Sequence, residues 1–401
     1  MSKKLTDIGL SLFEFSIVLI IASAIVRLSS SLYLPSLIDM GKSLEMSESE
    51  LGFTLTIFFI SYSIATLFVG PFVDYYGRKE LIVVGSVIFI LGSLLCSVAE
   101  SHFMLFGGRV LQAVGASSIP VSARAMIREY CDDIEVIKVL GWLAGIGGII
   151  PMLAPALGGV ITDTFGWRYN FYLLVALSLI IVIYAYNKLP KSLEKSSTIH
   201  ISYVLKNYFR IITSPSFVVV ILPLAFAFMI QGVFLVSTPF IFMKIYSLSA
   251  FEYGLTNIVI ASSLLFGRYI ALFCVENYST YFAYIFGSLL TLFGGIIIVL
   301  FLFFDILDVA LLLFGLFISV SGFGTLLPVG IKTIMTIFEE QVGMVSALHG
   351  FITLTSMAIG SYMSSFIRDG FDIKYTFILG FAIIILGVLM SVLSMFSKKY
   401  L

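Results

Sequence analysis

GPFVDYYGRK, residues Gly70 to Lys79, lies between two long apolar runs at roughly 50–70 and 81–99. The stretch crowds two glycines, a proline, an acid and two adjacent cations into one turn. Gly70 lets a neighbouring helix approach closely, and Asp74 can face a helix N-terminus or an arginine across a seam. Gly77 permits a tight turn, while Arg78 and Lys79 hold the loop on the side of a membrane that retains positive charge. A charged, sharply turning loop flanked by apolar runs describes a helical hairpin in a bilayer.

The rest of the chain repeats that pattern. Hydrophobic residues make up 60% of the 401 and charged ones 11%, more apolar surface than a soluble domain can hide. Apolar runs fall at roughly 12–34, 50–70, 81–99, 103–125, 139–161 and 170–187, then at 216–243, 254–275, 282–304, 309–330, 344–366 and 375–396. Each is long enough for a span of about 20 residues, and too long and uniformly apolar for a barrel strand. The expected fold is an all-α membrane protein with twelve transmembrane helices in two six-helix bundles, residues 1–187 and 216–401. They are joined by a basic amphipathic connection, 188–215, suited to a membrane surface. The N-terminal run is too long for a signal peptide and lacks an A-x-A-like site, so it reads as the first span.

With the N-terminus inside, Lys and Arg divide fifteen inside to five outside, Arg124 and Arg128 counting inside; both termini are expected in the cytoplasm. The formal net charge is zero and gives no pointer to nucleic acid. Cys96, Cys131 and Cys274 match no metal or disulfide pattern. No P-loop appears and nothing reads as a selectivity filter, so a built-in ATPase and a channel are disfavoured. Neither enzymatic activity nor a cofactor is expected.

Gly70, Asp74, Gly77, Arg78 and Lys79 match the G-x-x-x-D-x-x-G-R-K signature of the major facilitator superfamily at every fixed position. The resemblance implies two pseudo-symmetric bundles, with this loop as a latch between them and substrate bound at the midplane. The matching loop of the second half, ENYSTY at 276–281, lacks the signature. Span four reads GGRVLQAVGAS, residues 107–117, and resembles the family's R-x-x-Q-G motif through Arg109 and Gln112, with Ala113 in place of the usual Gly. Span five reads PMLAPALGG, residues 151–159, and is similar to the signature of the drug:proton antiporter branch, with Ala154 where Gly is usual. Pro151, Pro155, Gly158 and Gly159 are therefore the expected conformational hinge, since prolines kink a helix and glycines let helices slide at close range. GWRYNF, STPFIF, TNIVIA, LLPVG and GMVSALHG also resemble exporters of the bicyclomycin-resistance type.

Three arginines fall inside spans: Arg27, Arg109 and Arg268. An arginine near a span centre costs about 2.5–3.5 kcal/mol on insertion scales, so each is a functional candidate by default. Arg268 either sits deep or snorkels inward. The resemblance assigns Arg109 to proton coupling and helix contact. Arg27, Ser31 and Pro35 in RLSSSLYLP are four residues apart, and Arg27 shares a helix face with Ser31. Many relatives carry an acid where this chain has Ser31, and Glu14 lies too near the span's end to replace it. Tyr33, Gln112, Gln231, Phe234, Asn257 and His349 complete the candidate substrate and coupling residues.

The leading expectation is a secondary transporter in a bacterial inner membrane, a monomer moving a small organic molecule by alternating access, most simply in proton-coupled efflux. Three arginines without a clear carboxylate favour an alternative cargo, an anionic metabolite or a carboxylate siderophore. A non-transporting membrane sensor on this scaffold is the alternative of another class.

Overall fold

The computed structural model describes residues 10–192, 201–304 and 308–368. Among them every regular element is helical. The chain runs α1 (Leu12–Ser31), a 3₁₀ turn (Leu34–Ser36), α2 (Leu37–Leu44), α3 (Glu48–Tyr76), α4 (Arg78–Ser97), α5 (His102–Tyr130), α6 (Asp133–Phe165) and α7 (Arg168–Lys188). It continues through α8 (Ile201–Ile212), α9 (Pro215–Phe240), a π turn (Ile241–Ile245), α10 (Ala250–Asn277), α11 (Thr280–Phe303), α12 (Val309–Ile337) and α13 (Val342–Arg368). Eleven of the twelve expected runs are thus helices; the twelfth, 375–396, lies outside the described residues, as do Lys3, Lys4, Lys195, Lys374, Lys398 and Lys399. Ten helical segments among the described residues are long and apolar enough to cross a bilayer.

The helix starts are written locally. Ser11, Ser47, Asp132 and Ser249 each cap a helix and accept from the backbone N–H of Glu14, Glu50, Glu135 and Glu252, which reach back to the cap. These capping boxes satisfy N–H groups that a bilayer boundary leaves short of partners. Glu14 is accordingly a helix-start acid, bonded to Ser11.

Packing repeats between the halves. α4 pairs with α5 as α11 does with α12, α3 with α5 as α10 with α12, and α1 with α6 as α9 with α13. Between the halves, α3 meets α13 and α6 meets α10, the two contacts that a pseudo-twofold would exchange. Side chains such as Phe103, Ile180, Ile183, Tyr269 and Phe293 remain exposed, as a lipid-facing belt requires, while Phe15, Phe89, Phe171, Phe217 and Tyr284 are buried between helices. The buried hydroxyls of Ser16, Ser23 and Ser93 donate to carbonyls one turn back, which makes them compatible with an apolar interior.

Candidate functional site

The stretch RLSSSLYLP ends one helix and turns the chain. α1 stops at Ser31, and Pro35 lies in the first turn of the 3₁₀ segment that follows. Ser36 Oγ lies 2.7 Å from Thr162 Oγ1, and Asn170 Nδ2 donates to both, at 2.8 and 2.9 Å. This network ties the turn to α6 and α7. At Gly158 a Cβ would sit 1.7 Å from the Leu32 carbonyl oxygen, so α6 crosses the end of α1 at backbone contact.

Arg109 is fully buried where α1, α3, α4 and α5 meet. Its Nη1 donates to Ser29 O at 3.0 Å and to Gln112 Oε1 at 2.8 Å, and its Nε to Thr54 O at 3.5 Å. Gln112 Nε2 donates in turn to Ser93 Oγ at 2.8 Å. The guanidinium carbon lies 4.4 Å from the ring centre of Tyr33 and 4.2 Å from that of Phe58. Backbone carbonyls and aromatic faces therefore carry the charge, with no carboxylate partner among the described residues. Tyr33, whose hydroxyl meets Thr54 Oγ1 at 3.0 Å, belongs to the same packed knot, and Ser31 is buried beside it.

Arg27 has the opposite environment. It is exposed, although it sits four residues before the end of α1 and its neighbours Val26 and Ser29 are buried. Within its electrostatic reach lie Tyr62 of α3, Arg124 of α5 and Arg268 of α10, so groups of both halves act on it. Arg124 and Arg268 are exposed too, and Tyr62 is half-buried. Arg124, counted with the cytoplasmic cations at the end of the 103–125 run, lies within the helix, because α5 continues to Tyr130. Of the three arginines expected in spans, the structure brings Arg27 and Arg268 together and packs Arg109 away from them.

The second half contributes less polar chemistry. Gln231 is half-buried and Phe234 buried on α9. Asn257 Nδ2 donates to Tyr253 O at 3.0 Å, and the Tyr253 hydroxyl lies 3.3 Å from Thr238. His349 is half-buried near the start of α13, and its carbonyl accepts from Thr353 at 2.7 Å.

The end of the molecule opposite the Gly70–Lys79 loop is sealed. There Gly254 of α10 would bring a Cβ within 2.4 Å of Ala156 Cα, and Gly159 of α6 within 2.4 Å of Ala250 O. Thr56 donates to Ser361 at 2.9 Å, the Phe251 N–H to Asp163 at 3.3 Å, and Lys244 pairs with Glu48. Further along α3, Thr355 still donates to Ser63 at 3.1 Å, but a Cβ at Gly350 would find only Thr66, at 3.9 Å. Close contact thus relaxes toward the loop end. Pro155 is buried at the sealed crossing, and Pro151 lies on α6 one turn nearer the loop.

The loop itself is organised by Arg78. Its guanidinium lies 3.7 Å from Asp74 and 3.3 Å from Glu129 of α5, and its backbone N–H donates to Ser192 at 2.6 Å. Gly77 has φ 108°, a conformation closed to other residues without strain. The Lys79 ammonium stands 5.9 Å from the Tyr186 ring of α7.

Two helical bundles of matching internal pairing, in backbone contact at one end and carrying exposed arginines on helices of both halves, define the class of fold. The chain belongs to the Major Facilitator Superfamily, which matches residues 19–325. It is 35% identical over 170 residues to the Multidrug resistance protein MdtL of Salmonella paratyphi C, and 37% identical over 172 residues to that of Klebsiella pneumoniae. Each match spans 42% of this chain and 42% of the relative, less than half the length of either. Among solved structures, a D-xylose-proton symporter is similar over 97% of this chain and 98% of its own, with a TM-score of 0.74 at 16% identity. A partially occluded inward open conformation of the xylose transporter XylE from E. coli is similar over 94% and 96%, with a TM-score of 0.68 at 13% identity. At such identities the likeness concerns the fold alone.

Proposed function

We propose that this protein moves a small organic molecule across a bacterial inner membrane by alternating access, exporting it in exchange for protons. The supporting observation is the asymmetry of the interface between the halves. Backbone-level contact closes one end, whereas toward the loop end a Cβ at Gly350 would find only Thr66, at 3.9 Å. This is one of the two end states that a rocking carrier needs. Lysine and arginine asymmetry assigns the loop end to the cytoplasm, which makes this state inward-facing. The relatives named for multidrug resistance favour export.

In this reading residues 1–187 and 216–401 are the rocking units, and 188–215 is the cytoplasmic connection. α8 lies within that connection, and the Tyr208 hydroxyl donates to Leu67 O of α3 at 3.3 Å. Asp74, Arg78 and Glu129 order the loop end of the first unit, and Arg109 with Gln112 keeps α1, α3, α4 and α5 moving as one body. The small residues of α6 and α10 form the contact that closes one end and parts when that end opens. A monomer suffices for this cycle, and no covalent chemistry is required.

The test is transport by purified protein in proteoliposomes under an imposed pH gradient, with substrates of each charge class. Accumulation that collapses when the gradient is dissipated is the expected result. Equilibration independent of the gradient would remove proton coupling, and movement no faster than in empty vesicles would remove transport.

A further inference from the structure

The feature of the interface that packing does not explain is the convergence of Arg27, Arg124 and Arg268. Each lies within an apolar helix, where a cation is costly, and each is exposed. They come from α1, α5 and α10, so two belong to the first half and one to the second. Arg27 is acted on by both others as well as by Tyr62, and Arg124 by Tyr62 and Arg128. Among the described residues none of the three takes part in an ion pair. Like charges held within electrostatic reach repel, and low-dielectric walls strengthen that repulsion. A structural arginine would be expected to resemble Arg109, whose Nε and Nη1 meet carbonyl oxygens and whose faces meet rings. These three are exposed and have no ion-pair partner among the described residues, and each carries a planar fork of donors that matches a carboxylate or a phosphate.

We infer that Arg27, Arg124 and Arg268 form the binding site for a small organic polyanion, a molecule bearing at least two carboxylate or phosphate groups, with Tyr62 as a neutral hydrogen-bonding wall. The inference rests on the transport reading and narrows its cargo. The arrangement also assigns the anion a part in the cycle. Without it, Arg27 of the first half and Arg268 of the second act on each other as like charges, and repulsion holds the loop end apart. A polyanion between them turns that repulsion into attraction and lets α1 and α5 approach α10. A singly charged anion neutralises one arginine and leaves the others opposed, whereas a cation adds to the repulsion.

Binding is measured on the purified full-length protein by calorimetry and thermal stabilisation, separately from transport. The probes are citrate, succinate, glycerol 3-phosphate, acetate and tetraphenylphosphonium. The expected result is that at least one of the first three binds, at least tenfold more tightly than acetate, and more weakly as salt rises. Arg27→Gln, Arg124→Gln and Arg268→Gln should each weaken that binding tenfold or more. Lysine at the same positions should restore part of it, because the charge returns without the fork. Arg168→Gln, at the sealed end, serves as the control and should bind as the parent does. Each variant is first checked for a monodisperse gel-filtration profile, and the lysine versions stand in for any glutamine version that fails it.

The site is overturned if no polyanion of the panel binds, if tetraphenylphosphonium binds and the polyanions do not, or if the triple glutamine variant binds as well as the parent. Binding with this pattern in a protein that moves nothing in proteoliposomes would refute transport and leave the site intact. Gradient-driven movement of the cation alone would keep the transport reading and discard the site.

Discussion

Gly254→Leu tests whether the crossing of α6 and α10 is the seal that holds this end state. The Cβ alone would lie 2.4 Å from Ala156 Cα and 2.7 Å from both Ala156 N and Pro155 O. All three neighbours are backbone atoms, so no side chain can swing aside, and the helices must part by about 1 Å to restore ordinary contact. Overpacking of this kind costs about 1–3 kcal/mol, or a factor of about 5–150 in the balance between sealed and unsealed ends. The reporter is Thr56→Cys, placed at a buried position of the same interface whose hydroxyl donates to Ser361. The three native cysteines are all buried and give a low background. In the parent the reporter should react slowly with a polar maleimide, and adding Gly254→Leu should raise its rate by about the factor given above. Gly254→Ala should give a smaller rise in the same direction. An unchanged rate in a correctly folded Gly254→Leu protein would refute the idea that this crossing closes the end.

Arg109→Ala should lower the thermal midpoint markedly, by a loss of about 2–4 kcal/mol, because it strands Gln112 and the Ser29 carbonyl in a buried site. Arg109→Lys should fall between, and a midpoint for the alanine variant equal to the parent's would contradict the packed-knot description. Gly77→Ala should cost about 1–3 kcal/mol through its φ of 108° and reduce the yield of folded protein, whereas Gly70→Ala, where a Cβ meets nothing within 4 Å, should be tolerated. Comparable yields for the two would remove the backbone argument for the loop. The Cys131 thiol is pushed up to about 11 by burial and then by Glu135 and Asp132. Only about one thiol in a thousand is ionised at pH 8, so alkylation should climb roughly tenfold per pH unit between pH 7 and 9; a rate that levels off near pH 9 would show an ordinary thiol.

The presence and order of the described helices were legible in the sequence because span length and the glycine turn at Gly77 are local signals, but their ends were not, as α5 running on to Tyr130 shows. The Gly70–Lys79 loop was legible for the same reason, since fixed residue types at fixed spacing define it. What faces what was not. In a soluble helix a polar stripe marks the exposed side, but here lipid and protein interior are both apolar, and the stripe disappears. Nothing local therefore distinguished Arg109, sealed between rings, from Arg27, open to solvent. Arg124 was missed because it stands where apolar character fades, and four residues before Arg128 it reads as the start of a basic loop. The α6–α10 crossing left a faint mark in Ala250 and Gly254, one turn apart, opposite Ala156 and Gly159. Small residues on one helix do not name the partner helix; the fold supplied it.

The sealed crossing has a consequence for how the two ends of the molecule respond to their surroundings. At the α6–α10 crossing Gly159 and Gly254 lie against backbone atoms of the facing helix, so any substitution at either glycine adds volume. The loop end is organised instead by the charges of Asp74, Arg78 and Glu129, whose interactions weaken as ions accumulate around them. Hydrostatic pressure, which acts on packed volume, and ionic strength, which acts on charge, are thus nearly independent handles on opposite ends of one molecule.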